Sequence, residues 1–292
     1  MFKHAQDKLP VALIVAFSIV DLAAYFLIEN FWVFLGYWLL LLLPKGVICA
    51  WNHHHQHVFT FRSPALNRLY ELSLAFHSGI TSNLWLLHHG LGHHLHFLDQ
   101  TKDESGWKRK SSGRKMGVIE YTIDVTITAY YRAFQVGRRY PKHQRIYLRW
   151  TAITFVLLGL LIWYRPLAGV MIYALPMLTS LLFTVWVTYD HHSGLESKEQ
   201  FEASYNIMSP VFNALTGNLG YHTAHHYRQA VHWSKLPELH RTIAHKIPAA
   251  LYRESTFKAM LPNVRKTPGA VSRGESVPSE APGDDTGAQP AE

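Results

Sequence analysis

Histidine is the residue type that could do chemistry in this chain: of 20 histidines, 14 fall in four short clusters. They are Asn52-His53-His54-His55-Gln56-His57, His88-His89-Gly90-Leu91-Gly92-His93-His94-Leu95-His96, Asp190-His191-His192 and His222-Thr223-Ala224-His225-His226. His53 with His57, His89 with His93, and His222 with His226 stand four apart, which on a helix is one face. Two imidazoles so placed can grip one metal ion, and the adjacent His94 and His225 offer ligands to a second. One zinc takes three or four ligands and would leave most of these histidines without a role; no His-Glu-x-x-His helix of a zinc protease is present. Two ions with four or five nitrogens each would use eight or nine imidazoles, which matches the supply. Imidazole suits iron, copper, nickel and zinc alike, so ligand type leaves the metal open. The Glu and Glu-x-x-His pairs of soluble di-iron bundles do not occur, which points to a nitrogen-rich site.

The elements that must position these clusters are apolar. A bilayer core of about 30 Å needs roughly 20 helical residues, and residues 10–28, 31–50, 149–164 and 166–189 are predicted to cross it. Lys3 and Lys8 precede the first run, but its length and the second span close behind it make it an anchor rather than a cleaved signal. Asp21 interrupts span one, Pro44, Lys45 and Gly46 interrupt span two, and Pro176 is expected to kink span four. Asp21 has no basic partner within its own span and reads as an acid bonded inside the bundle. The segment 51–147 carries 13 Lys and Arg and the segment after span four carries ten, whereas the two short connections carry only Arg165. Basic residues stay on the cytoplasmic side, so the long polar segments, the histidine clusters and the N-terminus are expected there. A fifth run, 69–87, is too polar to cross and is expected in the interface or the protein interior. The lone Cys49 excludes a disulfide scaffold, and 48% hydrophobic with 16% charged residues excludes disorder for most of the chain. Residues 267–292, with eight Pro or Gly and five acids against one Arg, are expected to form a disordered tail behind a domain of residues 1–266.

His53-x-x-x-His57, His89-x-x-x-His93-His94 and His222-x-x-His225-His226, arranged around pairs of spans, resemble the three histidine boxes of the membrane fatty acid desaturase and hydroxylase family. Thr188-Tyr189-Asp190-His191-His192 resembles the segment of that family that ends in a lone metal-binding histidine, and the stretch from Gly217 through His240 resembles its third-box region; the likeness covers roughly residues 10–255. The resemblance implies an all-α integral membrane protein, four spans under a cytosolic helical cap that carries the boxes. It implies two non-haem iron ions, O2 as co-substrate and a lipid or fatty acyl substrate in an apolar tunnel. The ligands carried over are His53, His57, His89, His93, His94, His192, His222, His225 and His226. One departure stands out: three residues rather than two separate His89 from the His93-His94 pair, which leaves His88 and His96 as rival ligands.

The expected activity is that of a fatty acid desaturase. Hydroxylase, ketolase and alkene-forming decarboxylase begin with the same hydrogen abstraction and stay open, and a non-enzymatic metal-binding membrane protein is the alternative of a different class. No Gly-x-Gly-x-x-Gly fingerprint or fused haem domain is present, so a separate ferredoxin- or cytochrome-type donor is implied, with no nucleic-acid partner. The basic loops with Lys108, Arg109, Lys110, Arg114 and Lys115, and with Arg138, Arg139, Lys142 and Arg145, would meet an acidic donor or anionic headgroups. His54, His55, His96 and His191 read as residues beside the metals rather than on them, His4, His77, His143 and His245 as isolated, and His232 and His240 as cap-holding. Asp190 and Asn218 could orient ligand rings or simply make turns.

Overall fold

A computed structural model describes residues 1–253 of the protein; the boundary expected at 266 and the tail expected beyond it lie outside the described residues. The architecture is all-α. Four helices are long and apolar enough to cross a membrane: Ala5–Leu27, Phe31–His57, Pro141–Tyr164 and Pro166–His192. We call them α1 (Ala5–Leu27, of which Lys8–Leu27 is regular α-helix), α2 (Phe31–His57), α5 (Pro141–Tyr164) and α6 (Pro166–His192); α3 (Pro64–Ser78) and α4 (Val118–Gly137) lie between them. All four run further, at one end, than the apolar windows of the sequence. The windows end where residues turn polar, but a helix continues as long as its backbone bonds do, and the last turns of α2 and α6 point polar histidines inward, where they are buried.

Local signals set the ends. Asn30 caps α2 by accepting from the backbone N–H of Trp32 and Val33. Ser63 caps α3, with Pro64 in its first turn, and Gly79 ends it in the left-handed region at φ 69°. A side chain at Gly79 would also meet the Met177 carbonyl at 2.4 Å, so α3 packs on α6 backbone to backbone. The fifth apolar run belongs to the interior: Leu74, Ile80, Leu84, Trp85 and Leu87 are buried, as α3 and the turn after it lie against α2 and α6. On α4 the residues Tyr121, Val125, Ala129, Ala133 and Val136 recur every three or four positions, and all are buried. Their neighbours in the core are Trp85, Leu87, Trp107, Tyr147 and Val185. The outward faces of α1, α2 and α5 carry exposed Leu27, Trp32, Leu40, Val156 and Trp163, the surface that lipid would cover.

Asp21 has partners that its own span does not supply. Its Oδ2 accepts from Lys45 Nζ of α2 at 2.7 Å and its Oδ1 from Tyr37 Oη at 2.6 Å, while His77 Nδ1 of α3 lies 3.2 Å from Oδ2. His77, isolated in sequence, is a buried partner of an acid on another helix and belongs to neither group of clustered histidines. Pro176 has a consequence here too. It cannot donate to the carbonyl of Ile172, four residues back, and that carbonyl accepts from Lys45 Nζ at 3.2 Å. The irregularity expected at Pro176 takes the form of a π-helical segment, Gly169–Ala174, just before it.

Candidate metal centre

The nine histidines singled out by the sequence converge at one end of the bundle, where α2 and α6 terminate. His53, His57, His89, His94 and His225 each offer a ring nitrogen within 4.8 Å of all the others, and His93, His192 and His226 form a second such group. His222 joins the second group: its Nε2 is 3.0 Å from His192 Nε2 and 3.2 Å from His226 Nε2. The groups abut, since the His94 and His226 rings stack at 4.2 Å between centroids.

Each box reaches its place for a local reason. On α2, His53 and His57 are one turn apart on the inner face. Asn52 of α2 donates to Ser78 Oγ at the end of α3 and to the Ile80 carbonyl, and Gln56 Oε1 accepts from the backbone N–H of Trp85 and Leu86. The first box thus clamps the start of the second. The second box does not obey helical spacing. Leu86–Leu91 is π-helical, and the His94 N–H reaches back five residues to the His89 carbonyl at 2.9 Å. Five residues close a wider π turn, so His89 pairs with His94, their Nε2 atoms 3.0 Å apart, and His93 turns to the other group. The expected His89/His93 pair is accordingly split between the groups. The extra residue of this box is absorbed by the wider turn, and Gly92 lets it close: a Cβ there would lie 2.5 Å from the His88 carbonyl. The third box rides on a short helix, His222–Tyr227, anchored by Thr223, whose N–H donates to Asn206 Oδ1 and whose hydroxyl meets Ser204 and Asn206.

Burial sets the chemistry. Removal from water pushes the pKa values of His89, His94, His222, His225 and His226 well below 6.5, so these rings are neutral and keep a lone pair for a metal. Nitrogens face each other at close range, His53 Nε2 to His225 Nε2 at 2.8 Å and His93 Nε2 to His192 Nε2 at 3.3 Å. A neutral imidazole has one N–H, so such a crowd cannot be satisfied by mutual hydrogen bonding. The nitrogens facing away are held in part: His93 Nδ1 lies 2.8 Å from Asp103 Oδ1, and His192 Nδ1 lies 3.0 Å from the Ala203 carbonyl, both acceptors that would orient a ligating ring. His53 differs, since Trp85 Nε1–H donates to its Nδ1 at 3.2 Å. No carboxylate belongs to either group of ring nitrogens among the described residues. A donor set of five and four ring nitrogens fits two transition-metal ions.

The rival and neighbouring histidines stand apart. His88 is buried against Trp85, outside both groups, and His96 is outside them as well. His54 Nε2 faces the Thr216 carbonyl, His55 Nδ1 faces Thr60, and His191 stacks on His222 while its Nδ1 faces the Tyr205 carbonyl. Neither proposed orienting residue touches a ligand ring: the Asp190 carboxylate accepts from Arg253, and the Asn218 amide donates to the Trp233 carbonyl. Asp103 takes the part considered for Asp190. It sits ten residues beyond His93 in a charged loop, and no spacing rule marks it. The basic loop is also less free than its sequence suggests. Lys108 and Lys115 pair with Glu196, Arg109 and Arg114 with Glu120, and Lys110 with Glu104. Arg138, Arg139, Lys142 and Arg145 make no ion pair among the described residues.

Beside the first group lies an apolar cavity of about 50 Å³, with Gly46, Cys49, Phe183 and Thr184 at one end and His53, His89 and His222 at the other. A Cβ on Gly46 would meet the Phe183 ring at 2.7 Å, so glycine lets that ring close the far end. A family model described as fatty acid desaturase matches residues 30–257, a stretch that takes in all three boxes and His192. No curated protein matches the chain.

Proposed function

Because the chain belongs to the fatty acid desaturase family, we propose that it is an O2-dependent, non-haem di-iron membrane oxidase acting on a lipid acyl chain, a fatty acid desaturase. The observation that carries this reading is the convergence of nine imidazoles, from residues as far apart as His53 and His226, into adjoining groups of five and four. His53, His57, His89, His94 and His225 would hold one iron and His93, His192, His222 and His226 the other. Iron bound there supplies activation of O2 and removal of hydrogen from an unactivated C–H bond. The chain's own residues do the rest. Apolar walls at Val47, Phe183 and Leu219 exclude water and would align an acyl chain beside His53 and His89.

The overall change is R–CH2–CH2–R′ + O2 + 2 e⁻ + 2 H⁺ → R–CH=CH–R′ + 2 H2O. Hydroxylation, ketone formation and alkene-forming decarboxylation share the first abstraction and differ in how the substrate lies. Two electrons come from a ferredoxin- or cytochrome-type carrier, and the uncompensated charges of Arg138, Arg139, Lys142 and Arg145 support docking of an acidic one at the turn between α4 and α5. The distribution of Lys and Arg along the chain supports a cytoplasmic location for the boxes. Metal analysis of the detergent-purified protein, with mass spectrometry of lipid products when donor and O2 are supplied, tests the proposal. His225→Ala should abolish product and lower bound iron, while His143→Ala should do neither. Equal activity in the two variants would refute the ligand assignment.

A further inference from the structure

Every reaction open to this site takes two protons from solvent for each O2 reduced, yet eight of the nine cage histidines are buried, His57 being half-buried, and the cavity beside them has mostly apolar walls. A second, more polar pocket also touches the cage. It opens on the face of α2 that carries Trp51, His54 and His55, whereas the apolar cavity lies against Gly46, Cys49, Ala50 and His53. Its lining includes Asp7, Gln229 and His232 as well as His57 and His225, and its volume of about 10 Å³ is close to what one water requires.

We propose that Asp7 and His232 form a relay that delivers protons through this pocket to the metal centre, an inference that rests on the oxidase reading above. Asp7 Oδ1 accepts from Trp233 Nε1 at 2.8 Å and lies 3.0 Å from His232 Nε2. Its other oxygen, Oδ2, is buried and has no hydrogen-bond partner in the protein. A clasp that merely tied the N-terminus to the cap would use Oδ1 and have no need of a bare oxygen in a polar cavity that His57 and His225 also line; leaving a buried carboxylate oxygen bare costs free energy unless water or a proton meets it. His232 Nδ1 lies 2.9 Å from the Oγ of half-buried Ser234 and accepts from the Ser234 backbone N–H at 3.3 Å, and the His4 ring stacks on the His232 ring at 3.9 Å. A proton enters at His232 Nδ1 and another leaves from Nε2 to Asp7 Oδ1. The Asp7 carboxyl group then turns so that the proton it received on Oδ1 faces the pocket, releases it to water there and becomes a carboxylate again, and a flip of the His232 ring restores the Nε2–H tautomer. Charge is conserved at each transfer, and the electrons arrive separately from the donor protein.

The test uses the full-length protein in detergent, wild type and three variants: Asp7→Asn and His232→Gln, which keep hydrogen-bonding groups but break the relay, and Asp7→Glu, which keeps an acid. Three quantities are read: iron per chain, turnover in H2O against D2O, and the rate of proton uptake, by indicator dye, when the centre is reduced chemically without O2. Asp7→Asn and His232→Gln should retain wild-type iron, take up protons more slowly, show a larger solvent isotope effect than wild type, and turn over more slowly by on the order of 100-fold. Asp7→Glu should restore part of the rate. Loss of iron in Asp7→Asn and His232→Gln would overturn the relay by making the pair a structural clasp, and so would an unchanged isotope effect and uptake rate in both. Wild-type protein without iron or O2 consumption would instead sink the oxidase reading and take the relay with it.

Discussion

A histidine serves a metal only while it is neutral and aimed. Burial secures the first condition and acceptors such as Asp103 the second. Asp103→Ala removes the partner of His93 Nδ1, and metal affinity should fall by roughly 10- to 100-fold, read as faster iron loss to a chelator. The same burial predicts the pH response of metal-stripped protein. The folded-state pKa values of His89, His94, His222, His225 and His226 lie well below 6.5, so the unfolded chain binds more protons as pH falls through that value. Stability contributed by these rings is full above pH 6.5 and is lost on acidification, and Tm of the stripped protein should drop between about pH 8 and about pH 5. A flat profile would mean that the rings are hydrated. At this scale the sequence was legible where residue type alone speaks, as in the clustered boxes. It was silent on Asp103, because a carboxylate ten residues away in a charged loop looks like any other.

Elements decide which histidines share an ion. Spacing of four, taken with a regular helix, pairs His89 with His93; the π turn pairs His89 with His94 instead, and no periodicity in the sequence distinguishes a π turn from an α turn. Glycine at position 92 makes the turn possible. Gly92→Ala would put a methyl 2.5 Å from the His88 carbonyl and 2.8 Å from Glu104 Cγ, whereas Gly90→Ala would meet only Leu86 Cδ1 at 3.5 Å. Overpacking of this kind costs about 1–3 kcal/mol. Gly92→Ala should lower both Tm and bound iron, and Gly90→Ala should leave both near wild type. The spans were legible for a different reason: about 20 apolar residues have few other uses. Their polar ends were not, since hydropathy cannot tell a histidine facing solvent from one facing a partner helix.

For the whole molecule, the buried Asp21–Lys45 pair joins α1 to α2 within the apolar bundle, with His77 of α3 and the Ile172 carbonyl of α6 around it. Removing one partner strands a charge, so Asp21→Asn should destabilise by about 3–5 kcal/mol, seen as a lower Tm in detergent. Asp21→Asn with Lys45→Met should recover part of the loss, and failure to recover would show that Tyr37 and His77 rather than Lys45 depend on the carboxylate. Span one alone could not reveal this pair, because its members are 24 residues apart on different helices. The same long reach governs the cage. His53 Nε2 meets His225 Nε2 across 172 residues, and both groups draw on the segment 222–226. A nascent chain therefore threads its first pair of helices into the bilayer carrying an incomplete nest of ligands, and neither half of the nest is finished until the third box has been synthesised and folded back. On the proposed di-iron reading, loading with iron would be a late, nearly simultaneous event for the two positions, and a ribosome that stalls before residue 222 would leave behind a product with neither group of histidines complete.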